Sequence, residues 1–358
     1  MAKYIMVGCD LHDRSMLLKI AVDRGKPRLR CWGACASSRQ AMVNDLLRWA
    51  TQLQAERIVF AYEACGFGFG LHDELAEAGI ECHVLAPSKM ERSAQRRKRK
   101  TDEKDAQAIL DIVRAYVLAG VAMPSVWIPD LATRDDRELV RRRLAVAEDS
   151  SAIQVRIRWL LKRSGIESAP AGAWTGRYME WLGRLVQKEL PKGAAATLAS
   201  LLRQVEWLWG GQDLLSAQVA ALSRTPRHAP LVAALRRHKG VGVLTAMVFL
   251  TELGDMRRFG DRRQVGSFLG LTPGSFESGE ADDHKGHITR QVPSRVRKVL
   301  CQAVWSRLRS VPSERQAYDR IVNKDPKHKK IAVVARMRTL AIRLWHEGLA
   351  AQGVTPAA

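Results

Sequence analysis

The chain has 358 residues, with 58 Lys and Arg against 37 Asp and Glu, so its formal net charge at pH 7 is +21. A hydrophobic content of 46% excludes a disordered chain, and the length is sufficient for two or three domains. The positive charge indicates a polyanionic partner, most often nucleic acid.

The opening segment predicts a cytoplasmic protein. The chain begins MAKYIMVGCDLHD, which has none of the features of a signal peptide. No apolar run approaches the roughly 20 residues that are needed to span a bilayer. The six cysteines form no Cys-x-x-Cys pair, so a structural zinc site has little support and we expect reduced thiols and no membrane partner.

Residues 1–125 predict an α/β domain. YIMVGC predicts a strand that ends at Asp10, and SMLLKIAV with KPRLRCWGAC predicts a hairpin. SSRQAMVNDLLRWATQL predicts a helix that is capped by its serines, with apolar spacing at Met42, Leu46, Leu47 and Ala50. A strand ending at Glu63, a helix closed by Gly79 and a further strand follow, and this alternation predicts a sheet with parallel members.

Two acidic residues stand at the ends of predicted strands. Because functional side chains gather at the carboxyl ends of neighbouring parallel strands, we expect Asp10 and Glu63 to lie side by side. Two such carboxylates would repel each other and be driven toward protonation. A divalent cation relieves this conflict, and oxygen ligands favour Mg²⁺, with Mn²⁺ as the alternative ion.

A second pair of acids opens the next predicted helix. In KTDEKDAQAIL, Asp102 and Asp105 are three residues apart and share one helix face with Ile109 and Ile112, which predicts that this face points inward. The plain alternative is a pair of first-turn acids favoured by the helix dipole. Together with the two strand-end acids, the pair fits a metal-dependent phosphoryl-transfer site.

A basic run precedes this helix, in residues 88–100. A charge run is usually a solvated face. Because this run adjoins a predicted site of four acids, it is better interpreted as a surface that binds a nucleic-acid backbone. The candidate contacts are Arg96, Arg97, Lys98, Arg99 and Lys100.

Residues 126–228 predict a helical, coiled-coil spacer or dimerisation segment. No Gly or Pro occurs between Leu131 and Ser164, so one helix of about 50 Å is expected there. A later helix contains Gly210 and Gly211, where a kink is expected. Four tryptophans of this segment are expected to pack rather than to stack on bases: Trp159, Trp181, Trp207 and Trp209.

Residues 229–350 predict a mainly α-helical domain, followed by a tail at 351–358. LRRHKGVGVLTAMVFLTELG has the helix–turn–helix order of a helix-hairpin-helix, in which Gly240 and Gly242 would present backbone N–H groups to phosphate. The alternative is an ordinary helical hairpin. A Gly/Ser loop and a basic helix follow, and the candidate nucleic-acid contacts there are Lys285, Arg290, Arg295, Arg297 and Lys298.

The motifs GCDLHDRS, AYEACG and KTDEKDAQAI, followed by GVGVLTA and FLGLTPGSFESGE, resemble those of the DEDD-type insertion-sequence transposases, the bridge-RNA-guided serine recombinases. The resemblance covers nearly the whole chain. It implies a ribonuclease-H-like N-terminal domain, similar to Holliday-junction resolvases, in which Asp10, Glu63, Asp102 and Asp105 hold the metal. It also implies a long helical joining segment and a C-terminal transposase domain.

The resemblance further implies a serine nucleophile in the loop that contains Ser278 and Gly279, here called the Ser-Gly loop. The matching position is Ser278, with Ser275 as the rival position. The serine would attack the scissile phosphate and leave a covalent phosphoserine and a free 3′-hydroxyl. The implied partners are donor DNA, target DNA, a bridge RNA and further copies of the chain, as a dimer that assembles to a tetramer. Such a protein would join the nucleoid when bound to DNA.

Two other functions remain open at the sequence level. The same four acids could serve a structure-specific nuclease that uses a metal-activated water, and such an enzyme would give no role to Ser278. A non-catalytic nucleic-acid binder would use the acids only in salt bridges. The Ser-Gly loop favours a recombinase over a nuclease, and the ordered acids disfavour a simple binder.

Overall fold

The computed structural model describes residues 3–90, 101–166, 169, 172–275, 285–289 and 294–354. Internal contacts divide the chain into two compact units, Met1–Ile128 and Pro129–Ala358. The boundaries predicted at 125/126 and 228/229 stay predictions. Within the described residues, no helix combines the length and the apolar character that crossing a bilayer requires.

A five-stranded sheet forms the centre of the first unit. Its strand order is β3-β2-β1-β4-β5; β1 pairs in parallel with β4 and β4 with β5, whereas β1, β2 and β3 pair antiparallel. This confirms the predicted mixed α/β sheet and is consistent with a ribonuclease-H-like fold. The strands are β1 Tyr4–Leu11, β2 Ser15–Val22, β3 Arg28–Gly33, β4 Arg57–Glu63 and β5 Glu81–Leu85.

Helices cover both faces of this sheet: α1 Ala36–Leu53, α2 Gly70–Glu77 and α3 Asp102–Ala119. Successive side chains of a strand point to opposite faces. In β1, Ile5, Val7 and Cys9 belong to the core beneath α1 and α2, whereas Met6 belongs to the core beneath α3. Gly8 shares the α3 face, because it lies two residues after Met6.

The start of α1 differs from the prediction. Its N-cap is Cys35, which makes no side-chain capping hydrogen bond, so the expected serine caps are wrong. Ser37 and Ser38 lie in the first turn, where their hydroxyls contact the Cys35 Sγ at 3.4 and 3.2 Å. Leu47 is 38% exposed, because the buried face of α1 is formed by Met42, Val43 and Leu46.

Among its described residues, the second unit is helical apart from one short pair of strands. The 33-residue helix α4, Leu131–Arg163, confirms the single long helix expected there. The other helices are α5 Gly176–Arg184, α6 Lys192–Leu222, α7 Ala229–Arg236, α8 Val243–Leu253, α9 Arg262–Phe268, α10 Ser294–Ser310, α11 Pro312–Val322 and α12 Lys329–Ala351. A π-helical turn, Leu185–Glu189, follows α5, and 3₁₀ turns lie at Pro87–Lys89, Met256–Arg258 and Pro326–His328.

Helices α4 and α6 form an antiparallel pair. In the first half of α4, Arg143 Nε donates at 2.6 Å to Ser216 Oγ, which lies near the end of α6. Further along α4, Ile157 shares a core with Leu198 from the first turns of α6. Helix α6 continues through Gly210 and Gly211 as one element.

The four tryptophans of the spacer do not all pack as expected. Trp181 and Trp209 are half-buried against the shared core of α4 and α6, which confirms packing for these two. Trp159 and Trp207 are 55% and 72% exposed, so the prediction is wrong for them. The 3.6-residue period marks apolar positions, but it does not show which of them a neighbouring helix covers.

Helix α8 is the centre of the C-terminal core. Its last eight residues, 246–253, are all buried. The buried residue Glu252 accepts two hydrogen bonds from Arg141 of α4, at 2.8 and 2.9 Å. Arg137 Nε donates to the Thr251 carbonyl at 2.7 Å. These two arginines therefore fix α4 to the end of α8 and neutralise the buried carboxylate.

A two-stranded sheet lies where a loop was predicted, and this corrects the interpretation of the Gly/Ser segment. Strand β6, Pro273–Ser275, pairs antiparallel with β7, Lys285–Ile288. Both strands are very short, and β6 contains Pro and Gly, which local propensity does not favour in a strand. Their pairing is a long-range contact that a local pattern does not reveal.

Candidate metal centre

Asp10 and Glu63 lie at neighbouring strand ends. The parallel register of β1 and β4 pairs Cys9 with Tyr62, one residue before the two acids. Ala61 and Gly8 share the α3 side of the sheet, and alternation places Glu63 and Asp10 on that same side. The two acids are therefore adjacent at the carboxyl edge, as the strand pattern predicts.

The start of α3 lies over the same edge because Gly8 has no side chain. A Cβ placed on Gly8 would lie 2.3 Å from Leu110 N and 2.5 Å from Ala106 O, so the backbone of α3 passes directly over β1. The Thr101 hydroxyl caps this helix and accepts from the Lys104 amide at 3.4 Å. This close packing brings the first-turn acids of α3 toward the end of β1.

Asp102 reaches Asp10 through His12. The Nε2 atom of His12 lies 3.0 Å from Asp10 Oδ2 and 3.5 Å from Asp102 Oδ1. One ligand atom from each residue lies within 4.8 Å of the other two. Asp10 is largely buried, with 17% of its side chain exposed, whereas Asp102 is 64% exposed. The expectation that Asp102 faces inward is therefore wrong: it approaches the cluster from the solvent side.

His12 is the site residue that sequence reasoning missed. It stands two positions after Asp10, and the i, i+2 spacing along an extended segment places two side chains on one face. That spacing was a usable signal in GCDLHD. Glu103, by contrast, turns away from the cluster and pairs with Lys19 of β2 at 2.6 Å, in agreement with its predicted position off the shared face.

The electrostatics of Asp10 indicate a place for a cation. Burial raises the pKa of its carboxyl; the contact with His12 opposes that effect, and the like charges of Asp105 and Asp102 add to it. A bound divalent cation would relieve both the desolvation and the repulsion. The donor set is mostly carboxylate oxygen, which suits Mg²⁺ or Mn²⁺, so the residues present fit such an ion.

The predicted nucleophile lies outside the described residues. Residues 276–284, which include Ser278, join β6 to β7; Arg290 and the run from Arg96 to Lys100 are likewise outside the described part of the chain. The backbones of Ser275 and Lys285 are paired in the β6–β7 register. The roles of all these residues stay predictions.

One of the two glycines of the predicted phosphate-binding turn, Gly240, has a structural reason to be glycine, whereas a Cβ on Gly242 would meet nothing within 4 Å. Gly240 has a φ of +83°, and a Cβ on it would lie 2.6 Å from Ala303 O of α10. Gly242 is the N-cap of α8. The segment is therefore helix, turn and helix, and phosphate binding there stays a prediction.

Two of the predicted contacts on α10 have partners inside the protein. Arg297 Nη1 donates to the Leu269 carbonyl at 3.2 Å, and Lys298 Nζ lies 3.0 Å from Glu148 Oε1. Arg295, the second residue of α10, is half-buried. A contact with nucleic acid would therefore compete with an existing bond at Arg297 and Lys298.

Comparison with known proteins gives a consistent result. Residues 7–165 match the model of the DEDD transposases of IS110 type, and residues 232–319 match a model described as the transposase IS116/IS110/IS902 family. The chain is 30% identical over 300 residues to "Putative transposase y4qE" of Sinorhizobium fredii, which covers 84% of this chain and 71% of that protein. It is 24% identical over 308 residues to the transposase for insertion sequence element IS1533 of Leptospira borgpetersenii, covering 85% and 86%.

Proposed function

Because the chain belongs to the IS116/IS110/IS902 family of insertion-sequence transposases, we propose that it cleaves and exchanges DNA strands by means of the acid cluster and Ser278, with a bridge RNA choosing the DNA. The observation that carries the proposal is the cluster of Asp10, His12 and Asp102 at the carboxyl edge of the sheet. This edge is where open α/β sheets place their functional side chains.

The acids have the role of holding and orienting a phosphate. Asp10, Glu63, Asp102 and Asp105 would hold a divalent cation, Mg²⁺ or Mn²⁺. When bound, such an ion supplies positive charge that orients and neutralises a scissile phosphate. His12, which contacts Asp10 and Asp102, positions the two carboxylates relative to each other.

The attacking atom in this proposal is the hydroxyl oxygen of Ser278. It forms a bond to the scissile phosphorus while the bond from phosphorus to the 3′ oxygen breaks. The serine proton goes to a base, and the departing 3′ oxygen gains a proton to become a free hydroxyl. A hydroxyl is a weak nucleophile and needs activation. The phosphoserine retains the energy of the broken ester for rejoining to another strand.

The test is a covalent adduct. The full chain is incubated with bridge RNA, donor DNA, target DNA and Mg²⁺, and the protein–DNA adduct is measured on a denaturing gel. We expect the adduct to disappear in Ser278→Ala and in Asp10→Asn. The matched control is Asp111→Asn, because Asp111 is an exposed acid of α3 that bonds Gln107 and lies outside the cluster; it should retain the adduct.

Other outcomes of this assay point to other functions. An adduct that persists in Ser278→Ala but not in Ser275→Ala would move the nucleophile to Ser275. Cleavage without an adduct would favour a nuclease that uses activated water. Unchanged function in Asp10→Asn would favour a non-catalytic binder. Omitting the bridge RNA tests guidance, and light scattering during assembly tests the proposed dimer and tetramer.

A further inference from the structure

A groove of about 530 Å³ lies in the first unit, between the β2–β3 edge of the sheet and the last turns of α1. The groove is distinct from the acid cluster. It opens beside Ile5 at the start of β1, on the α1 face, whereas Asp10 lies five residues later and on the α3 face. Five residues of strand span about 16 Å. Apolar side chains line its inner wall: Ile5, Ile20, Val22 and Leu53.

Three cations stand at this groove: Lys26, Arg28 and Arg30. No acidic residue is found among the described residues that line it, and none of the three cations has an ion pair with another described residue. Arg28 and Arg30 are two apart on β3, so their side chains leave the same face of the edge strand, about 7 Å from each other. This spacing allows them to contact successive phosphates of one strand.

The wall opposite the cations is aromatic. Trp49 of α1 lines the groove and is half-buried, and its ring centroid lies 6.4 Å from that of Trp32. Gln52, one helical turn later, adds an amide that can both donate and accept hydrogen bonds. An aromatic surface beside unpaired cations is the combination that binds single-stranded nucleic acid, because a base stacks while its phosphates meet the cations.

The chemistry of the groove identifies its occupant. A base must leave its helical stack to enter a concave site, which favours an unpaired strand over a duplex. The DNA strand that is cleaved has to reach Asp10, at the other end and on the other face of the sheet. We infer that the groove formed by Arg28, Arg30 and Trp49 binds an unpaired segment of guide RNA, an assignment that rests on the proposed RNA-guided function.

The first test measures binding of a fluorescein-labelled, single-stranded RNA of mixed sequence to the full chain, without DNA and without Mg²⁺. Losing one stacked base should weaken binding about tenfold in Trp49→Leu, whereas Trp49→Phe retains an aromatic face and should bind like the original chain. The double variant Arg28→Ala/Arg30→Ala should reduce the slope of log affinity against log salt by about 1.4, which is two phosphate contacts.

The control for charge is Arg262→Ala/Arg263→Ala, which removes two exposed cations from the start of α9 in the second unit. Equal weakening by this control would mean that only total charge matters and would overturn the inference. Thermal melts identify any variant that fails to fold. If a variant does not fold, RNA that contains 4-thiouridine is cross-linked to the chain without substitutions. Adducts on residues 26–30 or 49–53 support RNA binding in the groove, and adducts confined to other residues refute it.

Competing ligands define the occupant. Single-stranded DNA of the same sequence and duplex RNA should each bind more weakly than the single-stranded RNA, and their dependence on Trp49 should be smaller. Equal binding of the DNA would overturn the assignment to RNA, and equal binding of the duplex would overturn the unpaired base. Because these measurements need no cleavage, they remain interpretable even if the adduct assay fails.

Discussion

Replacing Gly8 by alanine should separate α3 from the sheet. The new Cβ would lie 2.3 Å from a backbone nitrogen and 2.5 Å from a backbone oxygen of α3. Neither atom can rotate away as a side chain could, so the helix has to retreat by roughly 1 Å before ordinary van der Waals contact is restored. The retreat loosens the contacts of Ile109, Leu110 and Val113, which lie in the core beneath α3.

The expected cost follows from overpacking. Inserting a methyl group into a filled core typically costs about 1–3 kcal/mol, and a clash with backbone lies at the upper end, so we expect about 3 kcal/mol. For a unit of this size such a loss lowers the melting temperature by on the order of 10 °C. Because α3 carries Asp102 and Asp105, a shift of about 1 Å should also reduce strand cleavage by around 100-fold.

The assay combines calorimetry with hydrogen exchange. Calorimetry gives the melting temperature, and exchange of the α3 amides shows whether that helix opens first. Gly66→Ala is the matched control, because a Cβ on Gly66 meets nothing within 4 Å. If Gly8→Ala melted at the same temperature as the control and cleaved DNA at the same rate, the close approach of α3 would not be what positions the acids.

Three further predictions concern the second unit. Glu252→Gln should lower the free energy of unfolding by about 3 kcal/mol, because it leaves Arg141 without its carboxylate, whereas Glu148→Gln at an exposed pair should cost less than about 0.5 kcal/mol in the same urea titration. Burial would raise the pKa of Glu314, but hydrogen bonds from three arginines (Arg307 and Arg336 foremost) outweigh burial and lower the pKa to about 2. The ionised Glu314 therefore contributes stability at pH values above 4.5, the ordinary pKa of a glutamate, and this contribution is lost as the pH falls from 4.5 toward 2. Glu314→Gln should flatten that part of the acid profile in urea titrations. Trp209→Ala should cost about 2 kcal/mol and Trp207→Ala less than about 0.5 kcal/mol, measured by thermal melts, because only Trp209 packs on the core.

The sequence was most informative where a local pattern has one physical outcome. An apolar run followed by an acid predicted the end of β4 at Glu63 and the end of β1 to within one residue, since β1 ends at Leu11 rather than at Asp10. Period-two alternation and the parallel pairing of the two strands then place the two acids together. The absence of Gly and Pro predicted α4, because nothing in that stretch interrupts the backbone hydrogen bonds of a helix.

The sequence was least informative where tertiary contacts decide. Asp102 reaches Asp10 and His12 only because α3 lies over β1, and that closeness depends on Gly8. The exposure of Trp207 depends on which side of α6 meets α4. The β6–β7 pairing depends on residues ten or more positions apart. Each of these features is set by long-range packing, which a single sequence does not encode in any local period.

The antiparallel pairing of α4 and α6 restricts how the lengths of these two helices can change. One inserted residue turns the remainder of a helix by about 100° and advances it by about 1.5 Å, so the apolar stripe that begins at Val146 would leave its partner. An insertion of about seven residues, two full turns, restores the stripe, provided that the opposite helix lengthens equally. The lengths of α4 and α6 can therefore change only together, in steps of about seven residues.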